Sequence, residues 1–250
     1  MADLPFPVPI CGPPPLPGAA TWNLEPTLLA TLLAGALAIA WTERRQGKAM
    51  AWPMAGWLVL ALALVSPLCS ASVALFSLRI TQHLVISLAA APLLAVAAMR
   101  LRGVARLGPG LPAIAFGALL WLWHLPGPYG ATFAPDGVAY WLMHLSLAGA
   151  ATWFWAALLR HGAARPLASA IAALSTAIQM GVLGALLTFA PRALYAVHGA
   201  SVTGPWGLTP LEDQQLGGLL MWVPGGLLFL VVLAAAAAQV LRPQLARSTG

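Results

Sequence analysis

Arg79-Ile80-Thr81-Gln82-His83 lies inside Ser77–Met99, a run otherwise apolar enough to cross a bilayer. Ionisable side chains are costly in such a span, so they face a bundle interior or a wet cavity and take partners there. Arg79 and His83 are four residues apart and share one helix face. The stretch therefore reads as the polar layer of a helical membrane bundle, and the other spans can be read by what they bring to that layer.

Composition agrees. Hydrophobic residues make up 60% of the 250, charged residues 7%, and mean hydropathy is +0.85, whereas soluble domains are about 25% charged. Apolar runs of about 20 residues alternate with short polar or Pro/Gly-rich breaks, which predicts an all-α, polytopic membrane protein in one transmembrane domain. Residues 1–23 hold Pro5, Pro7, Pro9, Pro13, Pro14, Pro15 and Pro17 and read as an extended extracytoplasmic arm. The arm lacks the basic residues of a secretory signal, so the first span is expected to be retained. Seven spans follow within 24–241: Leu24–Trp41, Ala51–Leu68, Ser77–Met99, Leu107–Leu125, Gly137–Leu159, Leu167–Ala190 and Leu216–Val240, with 242–250 a cytoplasmic tail.

The net charge of +6 does not point to nucleic acid, because the basic residues sit singly or in threes between spans. Arg44, Arg45 and Lys48 occupy the first loop, Arg100, Arg102 and Arg106 the third, Arg160 and Arg165 the fifth, and Arg242 and Arg247 the tail. Of the 12 Lys and Arg residues only Arg79 and Arg192 fall elsewhere. The positive-inside rule then places the amino terminus outside and the carboxyl terminus in the cytoplasm. An even number of spans would break this alternation.

Histidines gather toward the outer face. His83 and His144 each lie about six or seven residues into a span, roughly 10 Å below the outer boundary, and His124 closes the fourth span in Trp123-His124-Leu125-Pro126. Tyr195 and His198 fall in the last outer loop, while His161 adjoins Arg160 at the other end and reads as solvated. A single intramembrane histidine is accounted for by one interhelical hydrogen bond. Three from different helices at similar depth point instead to a shared ligand site, and imidazole suits copper, zinc, iron, nickel or haem.

Further residues either join that site or merely neighbour it. Met143 and Met221 are thioethers that would favour Cu(I), or core fillers. Cys11 and Cys69 both map outside, as a disulfide, a soft-metal pair or separate thiols. Trp121/Trp123 and Trp153/Trp155 read as interfacial anchors. Glu212-Asp213-Gln214-Gln215 opens the last span, where Asp213 complements a helix dipole. Pro92 and Pro224 should kink their helices.

These residues carry a resemblance. Gln82-His83 followed by Ala90-Ala91-Pro92-Leu93-Leu94, then Trp123-His124-Leu125-Pro126 with Tyr129, His144 with Trp153-Phe154-Trp155, and Asp213-Gln214-Gln215-Leu216-Gly217-Gly218 through Trp222-Val223-Pro224-Gly225-Gly226 resemble the CtaG-type cytochrome c oxidase assembly factors, from the second span to the seventh. The resemblance implies a seven-helix bacterial inner-membrane protein that matures the oxidase without being part of it, usually by supplying copper. It places His83, His124, His144 and Asp213 on the family's polar positions. One departure stands out: the third span often reads His-Met-x-x-His in the family, where this chain has Arg79 and Ile80.

The resulting expectation is a non-enzymatic copper chaperone. His83, His124 and His144 would be the metal ligands, with Asp213, Arg79, Gln82 and Gln214 orienting ligands or balancing charge, and Cys11, Cys69, Met143, Met221 and His198 as further possible ligands. Arg79 would either repel the metal or pair with an acid such as Asp136 or Asp213. Expected partners are oxidase subunits or other copper chaperones and the lipid bilayer. The alternatives are a haem protein with two axial histidines and a transporter of small solutes or metals. No HExxH, GxSxG or paired intramembrane acids suggest a hydrolase.

Overall fold

Pro26 opens the first helix, α1 (Pro26–Arg45), where the Glu25 carboxylate accepts the amides of Thr27 and Leu28. Capping of this kind satisfies amides that a helix start leaves orphaned. The computed structural model describes residues 8–100 and 107–248. Side chains of the last helix are described through Leu228 and at a few positions beyond. Expectations for Pro5, Pro7, Arg102 and Arg106, and for the side chains of Arg242 and Arg247, lie outside the described residues.

After α1 come α2 (Ala51–Val65), α3 (Pro67–Ala74) and α4 (Phe76–Leu84), the last running through a π-helical turn, Val85–Ala90, into α5 (Ala91–Ala98). Then follow α6 (Gly110–His124), α7 (Pro126–Ala131), α8 (Val138–His161), α9 (Pro166–Thr188), a loop with short turns including α10 (Ala200–Thr203), and α11 (Pro210–Ser248). The described residues contain no strand. Five helical stretches are long and apolar enough to cross a membrane, or six if α2 and α3 form one bent span; α6 is apolar but only 15 residues long.

The bundle is inside-out relative to a soluble fold. Leu33, Leu37, Leu58, Leu145, Ile171, Leu186 and Leu227 are exposed, whereas Arg79, Gln82, Asp213 and Gln214 are buried. With backbone polar groups closed within helices, such an apolar exterior fits lipid.

Departures from the sequence reading have local causes. The second span breaks by 48° between α2 and α3 instead of running to Leu68, because Pro67 forces Ser66 into extended backbone. Pro92 does more than bend the third span. It lacks an amide hydrogen, so in the π-helical register the Ser87 carbonyl has no partner along the chain; the Trp155 indole donates to it at 2.9 Å. Trp123 likewise turns inward and donates to Ser146 Oγ at 2.9 Å. Both side chains are buried, which corrects the expectation of interfacial anchors for Trp123 and Trp155. The seventh span continues as one helix through Pro224 and on to Ser248, past the expected tail boundary.

Close helix contact fixes α11. A Cβ at Gly218 would meet the Gly184 carbonyl at 2.6 Å, and one at Gly217 would meet the Phe76 ring. The Gly217-Gly218 pair thus lets α11 lie against α9 on one side and α4 on the other. At the opposite end of the bundle Glu43, buried, pairs with Arg100 and ties the end of α1 to the end of α5.

Candidate functional site

α4, α6 and α8 bring the three histidines expected to share a site into one cluster. The His83 ring lies 5.6 Å from that of His144 and 6.4 Å from that of His124, edge to face in both cases. Their hydrogen bonding sets their chemistry. His124 Nδ1 is 2.7 Å from the Leu120 carbonyl and His144 Nδ1 is 3.0 Å from the Tyr140 carbonyl. A carbonyl only accepts, so each Nδ1 carries the proton and each Nε2 is a bare lone pair. Both Nε2 atoms are buried without a partner, as are both ring nitrogens of His83. Unpartnered buried polar atoms are costly, and a backbone acceptor on the far nitrogen is the usual way a metal-binding imidazole is oriented.

A small cavity of about 20 Å³ lies between His83 and His124, with Met180, Met221, Phe116 and Leu120 in its walls. Space of that order takes about one water-sized species. Two imidazoles and two thioethers form a donor set suited to Cu(I). No group of three or more His, Cys, Asp or Glu among the described residues converges on a common point, so holding an ion here would require these side chains to close on it. His144 adjoins His83 but opens on a separate groove. Met180 was not singled out in the sequence. It lies eight residues from the end of α9, about 12 Å along the helix, so the depth count that grouped His83 with His144 finds it too.

Several expected site residues have other work. Asp213 touches no imidazole: its carboxylate accepts the amides of Phe76 at 2.6 Å and Ser77 at 3.1 Å and the Ser77 hydroxyl at 2.6 Å. It caps α4 from across the bundle, seven residues or about 10 Å from His83. Gln214 accepts the Leu194 amide at 2.6 Å and donates to the Leu187 carbonyl at 3.2 Å, anchoring the loop after α9. Gln82 donates to the Ala63 carbonyl at 2.7 Å, joining α4 to α2.

The other expected ligands are likewise engaged. His198 gives Nδ1–H to the Ala74 carbonyl at 3.2 Å and accepts the Tyr129 hydroxyl on Nε2 at 2.7 Å, leaving no lone pair for a metal. Burial pushes its pKa down to about 3. Cys11 and Cys69 form a disulfide, the first of the alternatives left open, so neither offers a thiolate. The Tyr140 hydroxyl lies 3.7 and 3.8 Å from the two sulfurs, and its ring packs 4.2 Å from that of His144. Met143 Sδ faces the Arg79 guanidinium at 4.0 Å. His161 is half-buried at the far end of α8.

Arg79 does not reach solvent, and among the described residues it pairs with no acid. It is buried, donates to Thr132 Oγ1 at 2.7 Å and stacks 4.4 Å over the Phe133 ring and 5.5 Å over that of Tyr129. Among the described residues the one ion pair is Arg100 with Glu43. Arg79 thus places an uncompensated cation one helical turn from His83, held by a hydroxyl and two ring faces.

Tyr195 closes the layer from the loop after α9 by donating to the His124 carbonyl at 2.8 Å and stacking on Phe76 at 4.5 Å.

Neither a curated protein nor a solved structure matches the chain. The sequence profile of the cytochrome c oxidase caa3 assembly factor family matches residues 32–107 and 99–243, which span the cluster, the capping Asp213 and the glycine contacts of α11, and the chain belongs to that family.

Proposed function

We propose that this assembly factor is a non-catalytic copper chaperone of the bacterial inner membrane, which holds Cu(I) between His83 and His124 and passes it to the oxidase or to another copper carrier. The observation that carries the reading is a pair of histidines with buried, unpartnered ring nitrogens in the wall of a small cavity that Met180 and Met221 also line. His144 stands beside His83 as a further imidazole. Thioethers favour Cu(I), and exchange with a partner's ligands requires no bond-making chemistry beyond coordination.

Topology supports delivery on the outer side. Counting α2 with α3 as one bent span and α6 as a short one gives seven, with the disulfide and the start of α1 at the same end of the bundle. A disulfide belongs on an oxidising face. Haem is the weaker reading, because the space at His83 and His124 is far too small for a porphyrin and Arg79 is enclosed by Thr132, Phe133 and Tyr129. Copper analysis of the purified protein, together with oxidase assembly in cells carrying His83→Ala or His124→Ala, tests the proposal: bound copper and assembly should fall together.

A further inference from the structure

The Cys11–Cys69 disulfide lies beside Tyr140, one turn of α8 outward of His144, and two buried donors around it serve only sulfur. The Tyr140 hydroxyl is 3.7 Å from Cys11 Sγ and 3.8 Å from Cys69 Sγ, and the Asn23 amide donates to Cys69 Sγ at 3.4 Å. Both side chains are buried, and among the described residues neither donor has another acceptor. Neutral sulfur accepts weakly, whereas an ionised acceptor makes bonds about twice as strong as a neutral one. The two donors therefore suit thiolates better than the disulfide they now face.

The arm gives access to the pair. Residues 8–14 make no hydrogen bond to the helices among the described residues apart from the contact of Cys11 with Tyr140. Ile10 packs on Gly137, and Pro13, two residues past Cys11, is exposed. Firm anchoring begins later, where the Pro15 carbonyl accepts the Trp206 indole at 3.0 Å and Thr21 exchanges two bonds of 3.0 Å with Ser70. Opening the disulfide frees the segment around Cys11 while the rest of the arm stays fixed. The two Cα atoms are 5.4 Å apart, so one soft ion between the sulfurs needs little more than side-chain rotation, and thiolates select Cu(I). A cuprous ion on two thiolates carries a net negative charge, which the Arg79 guanidinium, acting electrostatically on Tyr140, offsets.

We propose that Cys11 and Cys69 are a reducible dithiol that takes one Cu(I) at the outer end of the bundle and passes it inward past Tyr140 and His144. The reductant is a dithiol protein of the outer face. One of its thiolates attacks Cys11 Sγ, the bond to Cys69 breaks, and Cys69 leaves as a thiolate. The partner's second thiol resolves the mixed disulfide, so the partner ends as a disulfide and this pair gains two electrons and two protons. Cu(I) then displaces both thiol protons to solvent and keeps its oxidation state. Transfer onward to His83 rests on the copper reading; binding at the sulfurs does not.

The test uses the full-length protein in detergent without denaturant, with dithiothreitol standing in for the partner and removed anaerobically before Cu(I) is titrated against a chromogenic chelator. Dithiothreitol should open the bond in the folded protein and expose two thiols to alkylation. Reduced protein should bind one Cu(I) more than oxidised protein, and alkylation of the reduced thiols should abolish that extra ion. Tyr140→Phe, which keeps the ring, should weaken it about tenfold or more. A bond that opens only in denaturant, equal copper in the two redox forms, an extra ion that survives alkylation, or unchanged affinity in Tyr140→Phe would overturn the proposal. The reduced double variant His83→Ala and His124→Ala should keep the extra ion even if oxidised wild type holds none, so failure here and failure of the copper reading can be told apart.

Discussion

The Asp213 carboxylate accepts the Ser77 hydroxyl at 2.6 Å, across 136 residues of chain. Through it the first turn of α11 holds the start of α4, the helix that carries Arg79 and His83. Asp213→Ala strands the Phe76 and Ser77 amides as well as the hydroxyl, and should cost about 2–4 kcal/mol of stability. Ser77→Ala should cost about 1 kcal/mol, and the double variant little more than Asp213→Ala alone. Unfolding midpoints in detergent check this; additive losses would show that the two side chains act separately.

Cys11 and Cys69 should give no alkylation without reductant and two labelled thiols with it. A cross-link over 58 residues restricts the unfolded chain by about 4 kcal/mol in the chain-entropy treatment. Cys69→Ser should therefore lower the unfolding midpoint clearly. Labelled thiols in the untreated protein would contradict the bond.

Reporter fusions after Lys48, Arg106, Arg165 and Arg247 should register cytoplasm, and fusions near Gly18, Ser72, Pro135 and Thr203 the outside. The informative position is Pro135. If α6 does not span, the sides of every later fusion reverse.

Arg79 is a cation with no acid partner among the described residues, one turn from His83, where side chains on one helix face stand about 5–6 Å apart. At an effective dielectric of about 20, repulsion of a bound cuprous ion at that range amounts to roughly 3 kcal/mol. Arg79→Met should raise Cu(I) affinity by tenfold or more, and Arg79→His should raise it further by adding an imidazole. Competition with a chromogenic Cu(I) chelator reads both; unchanged affinity would mean that the ion sits elsewhere.

The apolar runs were legible in the sequence because bilayer thickness fixes span length. The histidine cluster was legible by depth along each helix. What could not be read were partners set by tertiary packing. Asp213 looked like a cap for its own helix and caps another. His198 counted as a possible ligand until Tyr129 and Ala74 took both its nitrogens. Arg79 resembled a residue in search of an acid, and nothing in its neighbours along the chain pointed to the ring of Phe133. Local sequence fixes how far along a helix a residue lies but only partly which side chains will face it.

Cu(I) binding to wild type, His83→Ala, His124→Ala and the double variant, measured by chelator competition, tests the central claim most directly. The account predicts one tightly held ion in the wild type, a loss of about a hundredfold or more in either single variant, and little further loss in the double, because two ligands of one ion act as a unit. Met180→Leu or Met221→Leu should weaken binding by about tenfold. A wild-type protein that binds no Cu(I), or His83→Ala and His124→Ala variants that bind it undiminished, would contradict the account.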